Sequence, residues 1–167
     1  MAVSMYDLTV ATYSKMLPAM RHVLGKAEAD AEARKIDPQI FVQARLAPDM
    51  LNLIKQVQIC TDHVKGSLAR LAGVDPPSWP DDESTFADLH ARIDKALAYA
   101  GGFERQQLEG SETRDIELKF PQGSLQFKGL EYVTQFVLPN FYFHMTTAYA
   151  ILRHNGVPIG KRDFFGG

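Results

Sequence analysis

The chain has 167 residues, 46% hydrophobic and 23% charged, with 18 basic side chains against 20 acidic ones and a net charge of −2. That is the length of one ordinary domain, expected over residues 1–167, and so balanced a charge excludes the broad basic footprint of a nucleic-acid binder and the like-charge runs of a membrane-surface protein. A single cysteine excludes an internal disulfide, and with no basic leader and no window approaching a membrane span the expected compartment is the cytoplasm.

Tyr6, Val10, Tyr13, Leu17, Met20, Val23 and Leu24 recur at helical spacing and predict an amphipathic helix over Met5–Lys26, bent or restarted at Pro18. Ala27–Arg34, rich in Ala and Glu, reads as a helical connecting arm, and Asp37-Pro38 opens a short turn toward Phe41 and Val42. A second long helix is expected from Pro48-Asp49 to Leu71, with Met50, Leu53, Ile54, Val57, Cys60, Val64, Leu68 and Leu71 on one stripe and Gly73 at its end. Three prolines make Val74–Asp82 an extended loop. Ser84 or Thr85 then caps a third helix carrying Phe86, Leu89, Ile93 and Leu97, which Gly101-Gly102 stops.

Ile116–Phe120 and Leu125–Phe127 alternate apolar with polar positions around Pro121-Gln122-Gly123, the pattern of a small hairpin that must pack on a helix. Leu130–Asn155 is the most apolar stretch and predicts a central helix kinked at Pro139 and closed by Gly156 and Pro158. The tail, Val157–Gly167, ends in two phenylalanines that a solvated tail does not need, so it is expected to dock on the bundle or on a second subunit. Four helices with one hairpin before the last predict an all-α antiparallel bundle.

Rotation by about 100° per residue sorts the histidines. His22 points away from the apolar stripe, and His154 sits in the last turn of the final helix, where the dipole favours an imidazolium. His90 falls between Phe86, Ile93 and Leu97 and reads as a hydrogen-bonded core residue. His63 lies on the flank of the second helix, near Asn52, Gln56 and Ile59, where it can line a groove. His144 shares the core face of the last helix with Val133, Val137, Ile151 and Asn140. Left unsatisfied in a core, such polar groups cost about 1–3 kcal/mol each, so Asn140 and His144 need partners: a metal, a water, each other, or His63 across the bundle. Cys60 and His63 form a Cys-x-x-His pair, but Cys60 lies on the apolar stripe and a buried, inert thiol is the simpler reading. The aromatics Phe141, Tyr142, Phe143 and Tyr149 read as core packing. The sequence holds no Gly-rich phosphate loop, nucleophile elbow or paired-carboxylate motif.

Three stretches, MYDLTVATYSKMLPAMRHVLGKA, QICTDHVKGSLARLAG and NFYFHMTTAYAILRHNGVPIGKRDFF, closely resemble an uncharacterised bacterial family, a domain of unknown function, of the DinB-like or YfiT-like metalloenzyme superfamily. The resemblance covers nearly the whole chain. It implies an up-down-down-up four-helix bundle, often a homodimer, with a divalent metal such as zinc, nickel or manganese on three histidines. One of these comes from the second helix and two, spaced His-x-x-x-His, from the last; some relatives of this kind are thiol-dependent transferases. Carried over by position, His63 matches the second-helix ligand and His144 the second of the last-helix pair, while the first falls on Asn140. Met145, Thr146 and Thr147 replace the polar residues that follow in metal-bearing relatives.

The expected site is therefore an incomplete triad of His63, Asn140 and His144, in a DinB-like protein whose altered pocket binds a small molecule, or a metal weakly or not at all, without an assigned reaction. Two rivals remain open: a metal-dependent thiol S-transferase, with Cys60, Asn140 or a carboxylate completing the site, and a structural or interaction bundle whose histidines are hydrogen-bonded core residues. No nucleic-acid or membrane partner is expected.

Overall fold

The hydroxyl of Ser4 accepts from the Asp7 backbone N–H and the Asp7 carboxylate accepts in return, a reciprocal cap that starts α1 (Met5–Leu8). The structure, a computed structural model, describes residues 3–167, so the single domain expected over 1–167 begins with two residues outside the described ones. After Thr9 the chain runs through α2 (Val10–Arg34), 25 residues without interruption. Pro18 neither ends this helix nor separates an arm. Met20, Val23, Leu24, Ala27 and Ala31 stay buried along one face, and packing of that face outweighs the backbone hydrogen bond that proline removes.

A short α3 (Pro38–Val42), capped by Asp37, leads into α4 (Leu53–Ala72). α4 starts later than its apolar stripe predicts. Residues 47–51 form a turn, and Asn52 supplies the cap by accepting from the Lys55 backbone N–H at 3.0 Å. Gly73, at φ 76°, ends α4 in the left-handed region where a Cβ would be strained. The extended loop follows as expected, and Thr85 with Asp88 forms a capping box for α5 (Phe86–Gly101). α6 (Arg105–Leu108) and one 3-10 turn lead to the hairpin β1 (Asp115–Phe120) and β2 (Gly123–Lys128). Its register pairs Ile116 with Phe127 and Phe120 with Gly123, leaving Pro121-Gln122 as the turn, and Ile116 and Leu118 face inward.

The final apolar stretch is not one kinked helix. α7 (Gly129–Glu131) runs into a π-helical segment, Tyr132–Val137, before α8 (Leu138–His154). The adjustment for Pro139 falls upstream of it. The wider turn absorbs the irregularity within one turn of a residue that has no N–H to give, and the Asn140 side-chain amide donates to the Phe136 carbonyl at 2.6 Å. A last short helix, α9 (Lys161–Phe164), folds the tail back onto its own chain: Phe164 packs edge-on against Tyr149 of α8, and Asp163 accepts from Lys26 of α2 at 2.9 Å. His22, expected to be solvated, is half-exposed and pairs with the same Asp163 at 3.0 Å.

The four long helices surround one core that includes Tyr13, Leu17, Leu68, Leu71, Ile93 and Phe141. α4 packs between α5 and α8, and α2 lies against α5. Arg21 pairs with Asp94 and Glu28 faces His90 between α2 and α5; Tyr13 meets Phe141 and Arg34 reaches Asn155 between α2 and α8. Between α4 and the last helical run, Gln56 meets His144 while Arg70 meets Tyr132. Among the described residues no helix is long and apolar enough to cross a membrane.

Candidate functional site

α4 and α8 bring two of the three expected side chains together. The His63 and His144 rings lie with centroids 6.1 Å apart and planes inclined by only 23°. His144 is 8% exposed, and its Nδ1 is 2.7 Å from Gln56 Oε1. Because the Gln56 amide nitrogen donates to the Leu51 carbonyl, its oxygen is the atom facing His144. Nδ1 therefore carries the ring proton and Nε2 keeps its lone pair. Asn140 does not join this contact through its amide nitrogen, which is committed to the Phe136 carbonyl.

His63 has no hydrogen-bond partner among the described residues. Burial, reinforced by His144 and Arg70 and opposed by Asp62, holds its pKa down to about 4, so the imidazole is neutral at pH 7. Burial lowers His144 as well. Asp62, next in sequence, turns to Lys65 at 2.7 Å and Arg92 at 2.9 Å.

His63 opens onto a cavity of about 230 Å3 between α4, β1 and the π-helical segment, walled by Ile59, Leu118, Phe120, Tyr132 and Phe136. The hairpin is bound to this wall through aromatic contacts: Phe127 meets Tyr132 and Phe136, and Phe136 meets the His63 ring at 5.8 Å. Arg70 completes it, donating to the Tyr132 hydroxyl at 3.0 Å. Larger depressions lie beside Trp79 and beside Arg105, at about 410 and 700 Å3. Among their polar groups, Asp88 caps α5, Arg92 binds Glu83, and Arg105 binds Asp7.

Gln56, Arg70 and Tyr132 escape the sequence reading. Arg70 leaves a legible signal, because His63, Gly66 and Arg70 are spaced i, i+3, i+7 and share a helix face. Cys60 is fully buried, its Sγ 3.8 Å from the Phe141 carbonyl and its thiol pushed well up by burial. His90 differs from its expected core role: its Nε2 is 3.5 Å from Glu28, while its buried Nδ1 has no partner.

The model of the family described as a domain of unknown function, DUF1993, matches residues 5–165. The chain belongs to the DUF1993 family. It is also similar to a DinB family member protein from Shewanella denitrificans of solved crystal structure, at 43% identity over 97% of this chain and 92% of that one, with a TM-score of 0.90. No match is found among curated proteins. This DUF1993 chain thus has a DinB-like fold, mostly helical with one small antiparallel hairpin.

Whether its residues fit the metal that the DinB-like resemblance implies is decided by the donor set. No group of three His, Cys, Asp or Glu side chains that could hold a metal ion gathers among the described residues. Two neutral imidazoles face each other, one of them tied to Gln56, and the nearest thiol is sealed and protonated. These residues do not fit a three-histidine centre.

Proposed function

We propose that this DUF1993 chain binds a small organic molecule in the cavity beside His63, and that His63, Asn140 and His144 are the remnant of a metal triad rather than a working one. The observation that carries the reading is the His63 imidazole: neutral, without a hydrogen-bond partner among the described residues, and placed at the wall of a mostly apolar cavity that Arg70, Lys119 and Asp62 also line. Few polar groups on an apolar concave surface are what a small-molecule site needs. The hydrogen-bonded core reading suits His144, whose Nδ1 is satisfied by Gln56, but it leaves His63 unexplained.

Protein-observed NMR during titration with neutral aromatic amides, phenylacetamide first, tests the reading. Binding that moves the His63 ring resonances and is lost in His63→Ala supports it; no binding by any amide or acid of that size overturns it. Elemental analysis after reconstitution with zinc, nickel or manganese tests the second half. Stoichiometric metal that disappears in both His63→Ala and His144→Ala overturns the remnant reading and favours the metal-dependent thiol S-transferase.

The same reading takes the long helices α2, α4, α5 and α8 as up-down-down-up. Its support is the order of contacts: 21 to 94 and 28 to 90 oppose, 13 to 141 and 34 to 155 run together, and 56 to 144 and 70 to 132 oppose. It also takes the protein as a cytoplasmic homodimer, with the exposed Tyr142 and Phe143 of α8 offered to a second copy. Sedimentation reporting a monomer across a wide concentration range overturns the dimer.

A further inference from the structure

Arg70 is a cation without a counter-ion. It lies two helical turns after His63 on the same face of α4, and its Nη1 donates to the Tyr132 hydroxyl at 3.0 Å. Among the described residues no carboxylate pairs with it. Asp75 shares a depression with Arg70 but makes no ion pair with it, and three other acids nearby are committed elsewhere. Asp62 is held by Lys65 and Arg92. On the far side of Arg70, Asp115 is held by Lys128 at 2.6 Å and Glu117 approaches Lys119 at 3.5 Å.

The sequence makes room for this guanidinium. A Cβ on Gly66 would come within 2.6 Å of Arg70 Nη1, so the arginine lies back across a helical glycine. A glycine inside a helix costs about 1 kcal/mol relative to alanine, and here it leaves space for a charged group over the backbone of α4. With Nη1 on Tyr132, Nε and Nη2 have no partner among the described residues. Two adjacent N–H groups of a guanidinium match the two oxygens of one carboxylate. Next to them the cavity is mostly apolar, with Ile59, Leu118 and Phe136 on its wall; its polar lining is the neutral His63 ring, Tyr132, Lys119 and Asp62, whose carboxylate is held by Lys65 and Arg92. At about 230 Å3 it is smaller than the roughly 300–1,000 Å3 of sites for drug-sized ligands, which limits the occupant to about one ring and its substituent.

Resting on the binding pocket proposed above and naming its ligand class, we propose that the cavity takes a small aromatic carboxylate, whose two oxygens are bound by Arg70 and whose ring lies between Phe136, Leu118 and His63. Tyr132 positions Arg70 by fixing one of its nitrogens, and Gly66 positions it by leaving space.

Calorimetric titration of the full chain with phenylacetate and benzoate, each against its matched amide, tests this. The acid binds about tenfold tighter than the amide in the unaltered protein, as expected for a charge-assisted pair replacing a neutral contact. The ratio falls to near one in Arg70→Met, while the amide keeps its weak binding. Gly66→Ala supplies a second variant whose folding is not at risk, since alanine is the better helix former; it leaves the charge in place, displaces the guanidinium, and lowers the ratio without removing amide binding. Equal binding of acid and amide by the unaltered protein overturns the carboxylate assignment and leaves the pocket standing. A ratio that survives both variants also overturns it. Binding of neither molecule overturns the pocket itself.

Discussion

Gln56 Oε1 sits 2.7 Å from His144 Nδ1, joining the first turn of α4 to the middle of α8. Both side chains are buried, at 2% and 8% exposure, so each is the other's replacement for water. This contact fixes the tautomer of His144 and thereby the character of the nitrogen left over. Replacing Gln56 with leucine strands a buried N–H, and the expected cost is about 1–3 kcal/mol of unfolding free energy, read from the urea midpoint at unchanged m-value. Loss of less than a few tenths of a kcal/mol contradicts the buried pairing.

Protonation of His63 opposes folding. The folded protein holds this imidazole neutral down to about pH 4, whereas the unfolded chain binds the proton near pH 6.5. Between those values the unfolded state carries more protons, so stability is full above pH 6.5, falls as pH drops, and stops falling on this account below about 4. The total is on the order of 3 kcal/mol, and His144, shifted in the same direction, adds to it. Denaturation curves at pH 7 and pH 5 measure the difference. In His63→Gln the drop shrinks to the share of His144; an undiminished drop shows that other groups cause it.

The Cys60 thiol is expected to be silent in the native protein. It is fully buried, and burial alone raises its pKa far above the working range of thiol reagents. An Ellman-type reagent therefore modifies it at the rate of unfolding, and addition of urea releases one equivalent promptly. Stoichiometric modification within seconds at pH 8 without denaturant places the thiol at the surface and reopens a chemical role for the Cys60–His63 pair.

How much of this was written in the sequence differs by element. Helix faces were legible wherever the apolar period ran unbroken, and Ser84 or Thr85 announced the start of α5, where the structure selects Thr85. The start of α4 differs from the expected Pro48-Asp49 because Met50 extends the helical spacing into a turn that precedes the Asn52 cap. Pro18 and Pro139 misled in the same way. A proline fixes a local cost but not where the cost is absorbed, and tertiary packing decides that: silently in α2, and as a π-helical segment ahead of α8. His144 was legible as a polar residue on a core face, and His63 as one on a groove-lining flank. Gln56 was not, because a glutamine near a helix start is ordinarily solvated. The cavity was not legible either, since its far wall comes from a hairpin more than fifty residues downstream of His63 in the chain.

Arg92 anchors the extended loop, and its removal should free that loop. Its side chain is 2% exposed and binds Thr61 at 2.9 Å, the Pro80 carbonyl at 2.8 Å, Glu83 at 2.9 Å and Asp62 at 2.9 Å. The three prolines leave this loop few backbone donors of its own, so the guanidinium supplies them. Trp79, the chain's one tryptophan, lies against the ring of Tyr99 and under the cations of Lys65, Lys95 and Arg92. Arg92→Met keeps the aliphatic stem and removes five donors, leaving Glu83, which is only 11% exposed, with the Gln58 amide but no cation. The expected cost is about 3–5 kcal/mol, the range for breaking one side of a buried ion pair. Tryptophan fluorescence reports the consequence directly: in Arg92→Met the emission shifts to longer wavelength under native conditions as Trp79 becomes hydrated. The far-ultraviolet helix signal stays near that of the unaltered protein, because the loop contributes no helix. An unchanged emission maximum contradicts the anchoring role, and a parallel loss of helix signal shows that Arg92 supports α4 and α5 as well as the loop between them.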